Sequence, residues 1–153
     1  MSDEIEVRQA FQDDADIIAQ FNRRMALETE NITLEHDTVR KGVMNLIHHP
    51  HRGFYLVAEK HDRILGSLMV TREWSDWRNG DFWWIQSVYV KPEERRQGTY
   101  RSLYNRVLEI AQQHGDVCGI RLYVEQNNLI AQKTYESLGM KPSHYKVYQA
   151  DLA

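Results

Sequence analysis

The chain has 153 residues, 42% of them apolar and 27% charged, with a formal net charge of -3. That length suits one domain spanning residues 1–153 with a core of its own, and the composition weighs against disorder and against a membrane protein. The negative balance disfavours a nucleic-acid partner, and a single cysteine, Cys118, leaves no internal disulfide to form, which fits a reducing cytoplasm.

Met1-Ser2-Asp3-Glu4 carries neither the basic nor the apolar stretch of a signal peptide. Residues 4–8 read as a first strand. Asp13, Asp14 and Asp16 then open a helix with Ile17, Ile18, Phe21 and Met25 on one face, because acids complement the positive end of the helix dipole. Residues 26–37 are polar and read as a loop. Thr38 can cap a second helix bearing Val39, Val43, Leu46 and Ile47, which Pro50 and Gly53 end. Around Pro50, His48, His49 and His51 suit a solvated helix end, since no cysteine or acid stands at ligand spacing and no metal is expected.

Residues 54–59 and 64–73 read as strands joined by a tight turn at His61-Asp62; the run from Ile64 to Val70 is too short to span a membrane. Asn79-Gly80 predicts a hairpin into a strand over residues 82–90. Tyr100, Leu103, Tyr104, Val107, Leu108 and Ala111 trace the clearest amphipathic helix in the chain, stopped by Gly115. Residues 120–124 form a further strand, with Cys118 beside it as a small buried residue. Ile130, Ala131, Thr134, Tyr135 and Leu138 mark a fourth helix ended by Gly139, and residues 141–149 close the chain as strand-like sequence broken near Pro142. Together these elements predict an α/β (α+β) domain with a mixed, mostly antiparallel sheet of six to seven strands and about four helices.

The segment Arg95-Arg96-Gln97-Gly98-Thr99-Tyr100 joins a strand to that amphipathic helix. A helix start presents unpaired N–H groups, Gly98 permits close approach, and Arg95, Arg96 and Arg101 add charge, so the segment suits a phosphate or pyrophosphate. An ordinary strand-to-helix turn is the alternative. A second dense feature runs from Glu73 to Trp84 and holds all four tryptophans. Trp83 and Trp84 alternate across a strand, so one should be core, while Trp74 and Trp77 flank the hairpin. With Glu73 and Asp76 nearby, Trp74 and Trp77, with Trp84, could wall a site for a cationic amine, cover a dimer interface or simply pack the hairpin.

Val88-Tyr89-Val90-Lys91-Pro92, followed by Arg95-Arg96-Gln97-Gly98, and then Asn128-Leu129-Ile130-Ala131 continuing to Tyr135 and Gly139-Met140, together resemble the GNAT acyltransferase superfamily. The motifs span residues 88–140 and the element order covers the whole chain. The resemblance implies coenzyme A as acyl-donor cosubstrate. Its pyrophosphate would meet the loop of Arg95, Arg96, Gln97, Gly98, Thr99 and Tyr100, and its pantetheine arm would pair with the backbone of Val88, Tyr89 and Val90. Asn128 would stand near the cofactor, where its bland role is a helix cap. Tyr135 falls at the family's general-acid position, where its bland role is core packing.

The chain departs from the pattern twice. Tyr100 stands where the family has Gly or Ala, so its ring must point away from the cofactor or pack on it. Gln86 stands where several members carry a catalytic Glu; an amide cannot serve as a base, but it can orient the acceptor or a water. A base would have to be Glu28, Glu30, Glu73 or Asp76, with Glu73 leading because its strand pairs with that of Gln86; otherwise the amine arrives neutral. The loop at Glu28-Thr29-Glu30-Asn31 lies where the family binds its acceptor.

The expected activity is acetyl transfer from acetyl-CoA to a primary amine by direct attack, without a covalent enzyme intermediate. A non-catalytic acyl-CoA-binding sensor and a simple nucleotide-phosphate binder are the alternatives. A small-molecule or peptide amine is the expected partner, with a homodimer allowed by the exposed hairpin and C-terminal strands.

Overall fold

The computed structural model describes residues 4–152; the leader reading drawn from Met1-Ser2-Asp3 falls outside them. In chain order the elements are strand β1 (Glu6–Gln9), a 3-10 turn (Gln12–Asp14), helices α1 (Ala15–Glu30) and α2 (His36–Ile47), and strands β2 (Gly53–Lys60), β3 (Arg63–Ser75) and β4 (Gly80–Val90). A second 3-10 turn (Pro92–Glu94), helix α3 (Thr99–His114), strand β5 (Val117–Leu122) and helix α4 (Leu129–Ser137) follow. The described residues divide into two compact units between Tyr123 and Val124. All five strands and α1–α3 belong to the first unit, and α4 with the segment after it to the second.

The sheet runs β1-β2-β3-β4-β5, antiparallel except for the parallel pair β4 and β5. The α/β class is as expected, but the described residues hold five strands rather than six to seven. Residues 141–149 form none: they are exposed and carry no ladder. Proline at 142 cannot donate to one, and strand-like composition makes a strand only where a partner edge receives it.

Both hairpins form. His61 and Asp62 take left-handed φ values of 51° and 62°, the mirror-type turn whose twist matches the flanking strands, and Asn79 does so at 48° at the end of the β3–β4 turn. Alternation along β2 buries both faces. Tyr55 and Val57 pack with Ala15, Ile18 and Ala19 of α1 and Val43 and Leu46 of α2. Leu56 and Ala58 face the other way, where the buried stripe Leu103, Val107 and Ala111 of α3 covers the sheet.

Three local expectations shift. Helix α1 runs on to Glu30, so Glu28, Thr29 and Glu30 form its last turn and Asn31 is the left-handed C-cap. Helix α2 is capped by Glu35, not Thr38: the Glu35 carboxylate accepts from the Asp37 and Thr38 amides and from the Thr38 hydroxyl. Cys118 is exposed, because β5 is an edge strand.

The start of α1 is held by Asp14, whose buried carboxylate accepts two hydrogen bonds from Arg8 at 2.8 and 3.0 Å and one from the Phe11 amide at 2.9 Å. Burial alone would raise the Asp14 pKa, but these donors outweigh it and hold it below the usual carboxylate range. Among the described residues no helix is long and apolar enough to cross a membrane.

Candidate active site

Strand β4 is bulged where the chemistry is expected. Met69 faces Gln86 and Ser67 faces Tyr89, so Ser87 and Val88 together oppose one residue of β3. Ser87 takes φ 52° there, an uncommon setting for a residue with a side chain. A Cβ on Gly66 would stand 2.5 Å from the Tyr89 carbonyl oxygen, so only glycine lets β3 follow this stretch. On the other side, pairing with β5 ends at Ile85–Leu122, while β4 continues to Val90. The β5-facing edge of residues 86–90 is therefore open in the sheet, and it includes Val88, Tyr89 and Val90.

The loop that follows leads into the start of α3. Arg96 and Gly98 are left-handed, at φ 64° and 85°, and Gly98 is the N-cap residue. Side chains tie the loop down from within. Thr99 is buried and its hydroxyl donates to the Glu94 carbonyl at 3.2 Å; the Gln97 amide donates to the Glu93 carbonyl at 3.1 Å. The first amides of α3 have no intrahelical acceptor by construction. A Cβ on Gly98 would meet nothing within 4 Å, so the space over this helix start is open. The residues thus fit a pyrophosphate group.

Tyr100 lies beside Tyr104 on the helix, with ring centroids 6.2 Å apart, and is half-buried. Its ring belongs to the apolar stripe of α3, which is how the loop accommodates a bulky residue at this position. Arg95 is engaged by groups of the protein itself. Its guanidinium donates to the Val90 carbonyl at 2.8 Å and to Glu28 at 2.9 Å, and it lies 5.4 Å from the centre of the Tyr89 ring. The exposed Arg96 and Arg101 supply the remaining cationic charge around the helix start.

Glu28 also accepts from the Tyr89 hydroxyl at 3.0 Å. Arg95, with Tyr89, holds its carboxyl below the usual range, while burial and Glu28 together push the Tyr89 phenol up. Glu28 is thus a carboxylate fastened between α1, β4 and the loop. Glu73 is fastened too. It receives the Trp84 indole N–H at 2.7 Å, and Arg121 lies 3.2 Å from both of its oxygens. Trp84 stacks at 4.5 Å on Tyr123. Gln86 donates to the Thr71 hydroxyl at 2.6 Å, which fixes its amide. Trp83 is the core member of the tryptophan pair, at 0% exposure, whereas Trp74 and Trp77 are 60% and 86% exposed. Asp76 is exposed in the hairpin turn.

A cleft of about 470 Å³ lies between α1, α2 and the sheet. Asn22, Met25 and Glu30 of α1, Val43 of α2, Tyr55 of β2 and Ser87 of β4 are among its walls, so it reaches the bulge. Of the candidate acids and tryptophans, Glu30 alone lines it; Glu28, Glu73, Asp76, Trp74 and Trp84 do not. Sequence reasoning missed Asn22, Tyr55 and Ser87 as wall residues. It also missed Gly42, although a glycine inside a well-patterned helix is a legible signal.

In the second unit, Asn128 is the N-cap of α4, its side-chain oxygen accepting from the Ala131 amide at 3.1 Å. Tyr135 is half-buried on the same helix, and burial pushes its phenol up, so it stays protonated at neutral pH. Among the described residues there is no cluster of His, Cys, Asp and Glu that could hold a metal ion.

No curated protein matches this chain. Among solved structures, a possible acetyltransferase from Clostridium difficile 630 is 44% identical, with TM-score 0.92 over 97% of this chain and 98% of that one. A probable acetyltransferase at 22% identity superposes with TM-score 0.85 over 97% and 98% of the two chains. An acetyltransferase from Clostridium acetobutylicum solved with acetyl-CoA, 14% identical, does so with TM-score 0.78 over 96% of each; these last two show the shared fold. The acetyltransferase (GNAT) family profile matches residues 14–140, and the chain belongs to that family.

Proposed function

We propose that this protein transfers an acetyl group from acetyl-CoA to a primary amine by direct attack, with no covalent enzyme intermediate. The observation that carries the reading is the succession, on one continuous segment, of a bulged strand with an open edge and a glycine-capped helix start. Bound acetyl-CoA would supply the thioester carbonyl. The amides of Gly98, Thr99, Tyr100 and Arg101, with Arg96 and Arg101, would hold the pyrophosphate. The backbone of Val88, Tyr89 and Val90 would pair with the pantetheine arm as an added strand does.

Backbone N–H groups at the Ser87 bulge would polarise the carbonyl as the amine nitrogen attacks. Gln86, oriented by Thr71, would position the acceptor. As the carbon–sulfur bond breaks, Tyr135 would give its phenolic proton to the departing thiolate, and the proton shed by the new amide nitrogen would return to the phenol through water. The phenol's upward shift supports the acid role, because the group donates from its neutral form.

The α1–α2 cleft, which reaches Ser87, would receive the acceptor. Gln86 in place of an acid favours a second reading, a non-catalytic acyl-CoA-binding module. Thiol release from acetyl-CoA across a panel of amines separates the two. Release that falls ten- to a hundredfold in Tyr135→Phe, with coenzyme A affinity retained, is the expected result. Tight coenzyme A binding without release from any amine would instead establish the sensor.

A further inference from the structure

The acceptor cleft has a chemistry of its own. Among the described residues its one charged wall residue is Glu30, and no lysine, arginine or histidine lines it. Met25, Val43 and Met69 give it an apolar lining. Asn22 and Tyr55, whose side chains hydrogen-bond, share the same wall.

Gly42 adds a separate observation. Glycine inside a helix is about 0.5–1 kcal/mol less favourable than alanine. Gly42 lies within α2 and lines the cleft, yet a Cβ there would meet nothing within 4 Å. No packing constraint of the protein itself forbids a side chain at this position. The helix forgoes one where it would narrow the cleft.

The geometry points to a carboxylate-free primary amine with an apolar body, of arylalkylamine size, as the acceptor. The inference rests on the acyltransfer reading for the amine's role, but not for its binding. A carboxylate on the occupant would be taken from water into a wall with no cation to meet it and with Glu30 repelling it, which is strongly unfavourable. Amino acids and the termini of short peptides are disfavoured on that ground. The ammonium form is drawn to Glu30, and the apolar body replaces water against Met25, Val43 and Met69.

Tyramine and tyrosine form the matched probe pair, since they differ only by the carboxylate. Calorimetric binding, with and without coenzyme A, should favour tyramine at least about tenfold, the factor that 1.4 kcal/mol produces. Gly42→Leu should weaken tyramine about tenfold or more, keep coenzyme A affinity and keep or raise the melting temperature. Gly42→Ala should raise the melting temperature with little loss of tyramine binding. Binding of tyrosine as tightly as tyramine, an unaltered tyramine affinity in Gly42→Leu, or no binding of tyramine, phenethylamine or hexylamine would each overturn the inference. Tyramine binding without thiol release would sink the acyltransfer reading and leave this one standing. Equal turnover of tyrosine would do the reverse.

Discussion

Replacing Gly98 by alanine probes the proposed pyrophosphate loop without disturbing its neighbours. The residue sits at φ 85° and ψ 8°, and its added Cβ would touch no protein atom within 4 Å. The loss of stability is therefore backbone strain alone, about 1–2 kcal/mol for a side chain in the left-handed region. For a chain of this length that is a fall of roughly 2–8 °C in melting temperature. The effect on ligand binding has a different origin. If the loop keeps its shape, the methyl group occupies the open space over the α3 amides. If the loop relaxes to negative φ, the amides turn away. Either way at least one hydrogen bond to a charged phosphate is lost, about 1.5–3 kcal/mol, or roughly ten- to a hundredfold in Kd. Calorimetry would compare coenzyme A with S-acetylpantetheine, which lacks the pyrophosphate. Coenzyme A should weaken and S-acetylpantetheine should not. A variant that loses the expected stability yet binds coenzyme A as the parent does would refute the assignment of this loop.

The Arg8–Asp14 pair should dominate acid sensitivity. Asp14 has a depressed folded pKa, so its contribution is present above the unfolded value of about 3.9 and is lost as pH falls through the folded one. Arg8→Met strands a buried carboxylate and should cost roughly 2 kcal/mol at pH 7, less than a fully buried pair because Arg8 is one-third exposed. Urea titrations at pH 7 and pH 3 should show a flatter acid limb in the variant; parallel curves would contradict the pairing. Glu73→Gln tests the rival base: with Arg121 and Trp84 as its partners, kcat should change less than about threefold, while a base in general catalysis is worth about a hundredfold or more. A hundredfold fall at unchanged melting temperature would restore Glu73 as the base.

The legible parts of this protein were those written in local patterns. The α3 stripe from Tyr100 to Ala111 and the turns at His61-Asp62 and Asn79 follow from side-chain period or backbone permission, and all formed. What failed depended on partners far along the chain. Residues 26–30 include the helix formers Ala26, Leu27, Glu28 and Glu30, so α1 runs through them, and Glu28 is held by Tyr89 and Arg95, some sixty residues away. Strand-like sequence at 141–149 forms no ladder, and Pro142 within it cannot donate to one. The Ser87 bulge is a matter of register between β3 and β4, and no single-residue propensity encodes it. The cleft was hidden for the same reason, since its walls come from five elements and only Gly42 marked it locally.

The positions of the carboxylates constrain how an acceptor amine loses its proton. Glu28 and Glu73 each accept from a guanidinium and a neutral donor, and neither lines the cleft. Asp76 stands in the exposed hairpin turn, away from the cleft walls. Gln86 cannot take a proton at all. That leaves Glu30, an exposed carboxylate at the cleft, placed to attract an ammonium. Selecting the neutral amine from an ammonium of pKa about 10 costs about 3 kcal/mol at pH 8, so on the proposed reading water would take the proton before attack. On the proposed route, Gln86 and the Ser87 bulge would hold a neutral amine against the thioester carbonyl, and Tyr135 would protonate the thiolate.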